Sequence, residues 1–253
     1  MRLAHSLITT AVAAFASASS AIAVPAQPNA LTSGEQAVGW RLLFDGQTLA
    51  GWRAFKSEAP PAGWQAIDGE LVRTEKSGDL VSVAEFGDFE LTLQWKNVDG
   101  GNSGIMYRVG LGEPRTIHTG PEFQILDAAL IPVLVGKGMK LGPQHTTGAI
   151  ADVVPPIADV ARPNGVWNDT RIVVRAWRVE HWLNGTKIVD VDLDSPSGRE
   201  RIAGSKFGVM PKFATLARGR IALQDHDGRV SFRAIKIREL APVVAPGDTP
   251  QRK

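Results

Sequence analysis

Residues 89–96 read Phe-Glu-Leu-Thr-Leu-Gln-Trp-Lys, and this stretch decides the fold class. Its large apolar residues, Phe89, Leu91, Leu93 and Trp95, stand at every second position. Side chains of a β-strand alternate between the two faces of its sheet, so these four residues share one face while polar residues occupy the other. The stretch therefore predicts a strand that covers a hydrophobic core.

Short runs of the same kind continue along the chain, separated by Gly, Asn, Asp and Pro, and no apolar stripe with the 3.6-residue period of a helix interrupts them. Asn184-Gly185 lies between two β-branched runs and is a strong signal for a hairpin. In the run 230–237 the apolar parity changes, which predicts a β-bulge or a sheet-to-sheet crossing at Ala234. About a dozen predicted strands in one domain indicate an all-β sandwich.

Composition excludes several classes of protein. The chain has 253 residues with 28 basic and 26 acidic side chains, and the formal net charge is only +2. Because the basic residues are scattered and form no stripe, we expect no nucleic-acid partner. The absence of cysteine excludes disulfides, thiolate metal sites and a cysteine nucleophile. A domain of this size can be stable through its core alone.

The two ends differ from the central part of the chain. Residues 1–23 combine Arg2, a short apolar run and an Ala-Ile-Ala site, which is typical of a secretory signal peptide. We therefore expect an exported protein, periplasmic or secreted, without a membrane span. Residues 24–38 and 241–253 are predicted to be a flexible lead-in and a flexible tail.

The stretch from Asn102 to Asp127 predicts a binding surface, because polar residues alternate with apolar ones there. Glu122 and Gln124 should point to one face of a strand, and Phe123 and Ile125 to the other. Residues 128–143 and 194–219 break the strand pattern and are predicted to be long loops at the rim of that face.

Seven segments carry further information: LFDGQTLAGW (43–52), GDFELTLQWK (87–96), GGNSGIMYRV (100–109), GPEFQILD (120–127), WNDTRIVV (167–174), HWLNG (181–185) and IALQDHDGRVSFRAIKIREL (221–240). In this order, and over residues 39–240, they resemble the family of 3-keto-disaccharide hydrolases. The resemblance implies a concanavalin-like jelly-roll β-sandwich of two curved antiparallel sheets, with sugar bound across a concave face. This sequence departs from the family pattern at Ala234, where asparagine is usual, at Asp227 and at Ala176-Trp177.

The resemblance also implies activity on glycosides that carry a ketone at C3, with a small carbohydrate as substrate. In such a sugar the C2 hydrogen is acidic, so elimination of the C1 substituent followed by hydration gives net hydrolysis. This chemistry needs a base and a group that stabilises the enolate. Glu122 is the first candidate for the base or for a metal ligand. His226 is the candidate helper, and Asp225 beside it is the third residue predicted to be catalytic.

Further residues are predicted to bind the sugar. Asn102, Arg108, Gln124 and Gln224 offer amide and guanidinium groups to hydroxyl or carbonyl oxygens. His145 lies in a Gly-rich loop, and Trp182 is the tryptophan best placed to stack on a sugar ring. His181 shares its parity with apolar neighbours and is expected to face the core.

Four questions remain open at the level of sequence. Asp127 is a further candidate for sugar binding; it either caps the loop after its strand or, if a bulge intervenes, pairs with Glu122 at about 5 Å as in a retaining glycosidase. A noncatalytic carbohydrate-binding module of the same fold is the alternative to an enzyme. No motif specifies a metal, although Glu122 with His226 or His145 could bind a divalent ion. The oligomeric state is also left open.

Overall fold

The computed structural model describes residues 27–241 of the chain, apart from the side chain of Asp99. The predicted signal peptide and residues 242–253 of the predicted tail lie outside this range. Twelve strands dominate: β1 Arg41–Leu42, β2 Trp52–Ala54, β3 Trp64–Ile67, β4 Glu70–Arg73, β5 Leu80–Ser82, β6 Phe89–Val109, β7 Glu122–Leu126, β8 Asn168–Arg175, β9 Arg178–Leu183, β10 Thr186–Asp192, β11 Arg220–Leu223 and β12 Asp227–Glu239. Three short α-helices accompany them: α1 Ser33–Ala37, α2 Leu130–Gly136 and α3 Pro196–Ala203.

The strands form two antiparallel layers around one core. The first sheet has the order β10-β9-β8-β6-β12-β4-β3, with β1 also paired to β12, and the second has the order β7-β6-β11-β5-β2. The expected all-β sandwich of two antiparallel sheets is therefore confirmed.

Strand β6 belongs to both sheets because it folds back on itself. The rings of Phe89 and Tyr107 lie only 6.4 Å apart, whereas a straight strand would separate two residues at this spacing by about 60 Å. The reversal occurs near Gly100, whose φ of 67° lies in the left-handed region that glycine adopts at the lowest cost. The first half of β6 thus pairs with β8, and the second half pairs with β7.

The core is formed by the alternating residues that the sequence singles out. Phe89, Leu91, Leu93 and Trp95 are all at most 3% exposed. His181 is fully buried among them, as predicted: its Nδ1 lies 2.9 Å from the Gly148 carbonyl oxygen, and its Nε2 lies 3.1 Å from the Tyr107 hydroxyl. Burial lowers the pKa of His181 to about 4, so the ring is neutral at pH 7.

The predicted irregularity at Ala234 is confirmed as a β-bulge. The pairing of β12 with β6 shifts between Arg233 and Lys236, and Ala234 has a φ of 52°. Asn29 stabilises the bulge, since its Oδ1 accepts a hydrogen bond of 2.8 Å from the Ala234 N–H while its Nδ2 donates to the Gly69 carbonyl. The segment predicted as a flexible lead-in therefore has defined contacts from residue 27 onward.

The predicted hairpin is present, with Asn184 and Gly185 both at positive φ between β9 and β10. The two stretches predicted as long loops contain helices α2 and α3. Both helices are short and lack the long apolar stripe by which sequence reveals a helix. No helix within residues 27–241 is long and apolar enough to cross a membrane.

Candidate functional site

The outer face of the second sheet carries Glu122 and Gln124, two of the residues predicted to form the sugar site. Phe123 and Ile125 belong to the core, so Glu122 and Gln124 project to the opposite side of β7. Register places Glu122 opposite Met106 of β6, and Gln124 opposite Gly104. This arrangement is the one predicted from alternation.

Glu122 is the most unusual group on this face because it is a buried carboxyl. The residue is 5% exposed, and its Oε1 has no hydrogen-bond partner among residues 27–241. Burial raises the pKa of Glu122 to about 8; the charge of Lys206 opposes this rise and the carboxyl of Asp79 adds to it. Glu122 can therefore accept or release a proton near neutral pH.

Gly104 provides the space that Glu122 occupies. A Cβ atom at Gly104 would lie 1.8 Å from Glu122 Oε1, which no side chain could tolerate without displacing the carboxyl. Gly104 of the NSG segment must therefore be a glycine, because Glu122 packs directly against its backbone.

The floor beside Glu122 is apolar. Met106, Val81 and Ala222 form a small cluster outside the main core, and Phe55 and Ile117 pack against it. The C–H face of a sugar ring can pack against such a surface while its hydroxyl groups contact polar side chains at the edge.

A polar network follows the floor on the side of the β6 reversal. Gln124 Nε2 donates a 3.2 Å hydrogen bond to Asn102 Oδ1, and Asn102 Nδ2 lies 3.2 Å from His226 Nδ1. The same ring nitrogen lies 2.6 Å from Asp227 Oδ2. Gln224 follows Ala222 by two residues, and its backbone N–H donates to the Gly104 carbonyl. The structure thus brings together Glu122, Gln124, Asn102, Gln224 and His226.

Asp225 was predicted to be catalytic, and the structure corrects this. Its side chain is 1% exposed and pairs with the Arg73 guanidinium. Its other oxygen accepts hydrogen bonds from the N–H groups of Ser77 and Gly78. Burial opposes ionisation, but the Gly78 N–H and Arg73 together hold the pKa of Asp225 below its ordinary value. Because both oxygens are engaged, Asp225 anchors the connection between β11 and β12 that carries His226, and it has no free oxygen for the reaction.

Asp79 and Lys206 act on Glu122 and were missed by sequence reasoning. Asp79 Oδ1 accepts a 2.8 Å hydrogen bond from the Asp225 N–H, Oδ2 accepts from the Thr116 hydroxyl, and burial raises its pKa. Asp79 precedes Val81 by two residues, and Val81 lies on the outer face of the sheet. The alternation of strand side chains was therefore the signal in the sequence that places Asp79 on the same face. Lys206 lies in a 3-10 turn after α3, where no periodic pattern indicates orientation.

His145 is connected to the surroundings of Glu122 through Asp152. Its Nε2 is 2.8 Å from Asp152 Oδ1, and Asp152 Oδ2 accepts a 2.7 Å hydrogen bond from the Lys206 N–H. The Ala151 N–H next to Asp152 donates to the Glu122 carbonyl. His145 therefore supports the loop that carries Lys206, whereas a direct contact with sugar was predicted.

Arg108, predicted to bind substrate, is a structural residue. It sits in a bulge with a φ of 53°, where the pairing of β11 with β6 shifts register. Its buried guanidinium donates to the carbonyls of Gly87 and Ala176 and to Asp88. The bulge breaks the alternation on which the prediction rested.

Asp127 also lies apart from Glu122. Its Oδ1 accepts a 3.0 Å hydrogen bond from the Ala129 N–H, and its Oδ2 accepts from Asn164 Nδ2. Strand β7 is regular between the two acids, so five residues separate them by about 16 Å along the chain. Asp127 therefore caps the loop, and the pair needed for a retaining glycosidase does not form.

Trp182 occupies the opposite side of the molecule. Its neighbours His181 and Leu183 are in the core, so Trp182 projects from the outer face of the first sheet, across the core from Glu122. Its predicted role at the same site is therefore wrong.

The possible metal site is not assembled as a cluster. Within residues 27–241, no three side chains of His, Asp or Glu converge in a way that could hold a metal ion. Glu122 and His226 lie on the same face, whereas His145 is paired with Asp152.

Comparison with known proteins identifies relatives of this chain. A profile described as the 3-keto-alpha-glucoside-1,2-lyase-like domain matches residues 39–238. A 3-keto-disaccharide hydrolase from Bacteroides thetaiotaomicron is 30% identical over 186 residues, which is 64% of this chain and 62% of that protein. The match thus spans less than two thirds of the curated relative.

Solved structures agree with this match. A Parabacteroides distasonis protein, provisionally described as a glycosyl hydrolase, is 32% identical with a TM-score of 0.79, covering 85% of this chain and all of that one. A second protein from the same organism, with the same provisional description, is 27% identical with a TM-score of 0.65, covering 79% and 99%. The profile match over most of the chain shows that it belongs to the 3-keto-alpha-glucoside-1,2-lyase-like family.

Proposed function

We propose that this protein cleaves glycosides whose C3 hydroxyl has been oxidised to a ketone. The observation that carries the proposal is Glu122, a buried carboxyl with a pKa of about 8 and an unpartnered oxygen, beside amide groups suited to sugar oxygens. Family membership and the name of the Bacteroides relative support the same substrate class.

The reaction begins with proton transfer from C2 to the Glu122 carboxylate. The electrons of the C2–H bond move toward the C3 carbonyl and form an enolate. They then return to form a C1=C2 double bond while the C1–O bond breaks and the aglycone leaves with a proton. Addition of water at C1 gives the free 3-keto sugar, so the sum of the two steps is hydrolysis.

The burial of Glu122 suits the first step. A carboxylate of ordinary pKa is a weak base toward a carbon acid, and a higher pKa increases its affinity for the proton. Burial thus strengthens Glu122 as a base, while Lys206 keeps the charged form accessible.

The network beside Glu122 can stabilise and protonate the oxygens of the substrate. Asn102, Gln124 and Gln224 offer neutral donors and acceptors at the edge of the apolar floor. His226 is half-exposed and can supply a proton to the departing oxygen or take one from water. In this assignment Asp225 is a positioning residue, because it holds the backbone that leads into His226.

The decisive experiment compares a 3-keto-glucoside with its unoxidised parent. We expect release of the aglycone from the ketone only, with deuterium from D2O entering the recovered substrate or the product at C2. Inertness toward both compounds would reject the proposal, and saturable binding without turnover would favour a noncatalytic module.

The pH dependence tests the assignment of the base. Glu122 must be ionised to remove the C2 proton, so we expect kcat/KM to rise with pH and to level off above about 8. A kcat/KM that falls as pH rises toward about 8 would instead assign Glu122 as the general acid.

Export remains part of this proposal, on the basis of the residues before Ala23. Amino-terminal sequencing of the protein recovered from a periplasmic or culture fraction would test cleavage at that position.

A further inference from the structure

A groove of about 500 Å3 crosses the outer face of the first sheet, on the side of the sandwich away from Glu122. It runs over the neighbouring strands β12, β6, β8 and β9. Gln27, Pro28 and Glu35 of the amino-terminal segment contribute to one side, and Gly185 of the β9–β10 turn contributes to the other. None of the residues placed around Glu122 lines this groove.

Strand register arranges polar side chains across the groove floor in rows. Arg233 pairs with Gln94, and Gln94 pairs with Asp169, so the three form one row across β12, β6 and β8. Arg233 Nε donates to Gln94 Oε1 at 2.7 Å, and Gln94 Nε2 donates to Asp169 Oδ1 at 2.7 Å. These hydrogen bonds fix the orientation of the row before any ligand arrives.

A second row lies beside the first and adds an aromatic ring. It consists of Lys236, Thr92, Arg171 and Trp182 in register across four strands. Three intervals between strands give the row a length of about 14 Å. Trp182 is partly exposed, and its Nε1 donates to Glu180, which orients the ring. A long polar groove with a fixed indole suits a chain of sugar units more than a compact small molecule.

The charges in the groove distinguish Arg233 from the other cations. Arg171 is paired with Glu90, and Lys236 is paired with Glu35. Among the side chains of residues 27–98 and 100–241, Arg233 has no carboxylate within ion-pair distance. Its guanidinium lies 4.0 Å from the centre of the Trp167 ring, and only its Nε is used in a hydrogen bond to that part of the chain. Two terminal nitrogens therefore remain free to bind a carboxylate in a bidentate pair.

We propose that this groove is a second carbohydrate-binding site, which takes an oligosaccharide with a uronic acid unit and places its carboxylate against Arg233. Gln94 and Asp169 provide hydrogen-bond partners for hydroxyl groups. The Trp182 ring packs against the sugar unit at the other end of the oligosaccharide. The site would hold the protein on an acidic glycan while the opposite face turns over a small substrate. The proposal is independent of the reaction assigned to Glu122.

Binding of trigalacturonate and of maltotriose to the full-length protein at low salt tests this site, with titration calorimetry as the readout. We expect saturable binding of the acidic trisaccharide, at least about tenfold tighter than that of the neutral one, as a charged hydrogen-bonded pair would give. Arg233→Gln should remove this preference, and Trp182→Ala should weaken the binding of both sugars. Glu122→Gln is the control for the other face and should bind both like the wild type.

The melting temperature of each variant shows whether it is folded, and turnover of a soluble 3-keto-glucoside by the two groove variants should match the wild type. The proposal is overturned if neither trisaccharide binds, if Arg233→Gln retains the preference for the acidic sugar, or if Glu122→Gln abolishes binding.

Discussion

At the scale of single residues, the candidate site depends on two neighbours of different size, Glu122 and Gly104. Glu122 reaches its buried position only because Gly104 has no side chain, and the same burial raises its pKa to about 8. A buried carboxyl without a hydrogen-bond partner reduces stability when it is charged. The molecule therefore accepts a destabilising group at the place where proton transfer is proposed.

Glu122→Gln should remove activity and raise stability at alkaline pH. The folded protein favours protonated Glu122, so the stability that this carboxyl contributes is fully present below pH 4.5 and is lost as pH rises to about 8. Gln cannot ionise and escapes this loss. We expect kcat to fall at least about 100-fold and the free energy of unfolding at pH 9 to exceed that of the wild type by a few kcal/mol.

Urea unfolding of both proteins at pH 5 and pH 9 measures this difference. Near-equal stability at pH 5 is the internal control. A variant that gains nothing at pH 9 would show that Glu122 is charged at little cost in the folded protein.

Gly104→Ala should displace the Glu122 carboxyl. The new methyl group would overlap Oε1, so the side chain must rotate or the two strands must separate. We expect kcat/KM to fall at least about 100-fold, since small misplacements of a reacting group have effects of this size. Gly112→Ala is the matched control, because a Cβ there meets no atom within 4 Å. Full activity in Gly104→Ala would contradict the role given to this glycine.

At the scale of elements, departures from regular strand geometry decide which residues reach the site. The bulge at Arg108 moves a predicted sugar ligand into a buried structural position, while the regular strand β7 keeps Asp127 away from Glu122. The bulge at Ala234 is held by Asn29 from the amino-terminal segment. Bulges thus separate residues that simple alternation would place together.

Ala234→Asn should stabilise the protein. Ala234 has a φ of 52°, and asparagine adopts this left-handed conformation at lower cost than alanine does. We expect a gain of about 0.5–1 kcal/mol, in the range found when a residue is matched to its backbone conformation. Thermal unfolding measures it, with Ala66→Asn in strand β3 as the control, where the same change should be neutral or destabilising. Equal effects at both positions would contradict this explanation.

The sequence was sufficient to predict the fold and part of the site. Alternation in 89–96 and 122–126 depends on local geometry, so it predicted the sandwich, the outward direction of Glu122 and the burial of His181. The bulge at Arg108 and the hydrogen bonds that saturate Asp225 depend on contacts far apart in the chain. The parity of Asp79 with Val81 indicates which face it occupies, but the effect of Asp79 and Lys206 on Glu122 depends on tertiary packing that a single sequence does not reveal.

At the scale of the whole molecule, a neutral histidine joins the two layers. Tyr107 lies on the second half of β6 and His181 on β9, and their side chains meet inside the core. The packing between the sheets therefore depends on a ring that must remain uncharged.

Acid should weaken the protein through this ring. The pKa of His181 is about 4 when folded, below its ordinary value of 6.5, so its contribution is complete above pH 6.5 and is lost as pH falls toward 4. We expect a loss of about 2–3 kcal/mol between pH 7 and pH 4.5. Denaturant unfolding with His181→Gln as the comparison isolates the effect, since the variant should be less stable at pH 7 and should lose less on acidification. A parallel pH dependence in both proteins would contradict it.

The position of β12 in the centre of the first sheet has a consequence for how the chain folds. This strand, residues 227–239, pairs with β6, β4 and β1, so the first sheet cannot be completed until nearly all of the domain has been synthesised. Contacts that join distant parts of a chain must close large loops and form slowly. We expect the domain to fold in one late, cooperative step on the millisecond-to-second scale, in which β12, near the carboxyl terminus, pairs with the earlier strands of the first sheet.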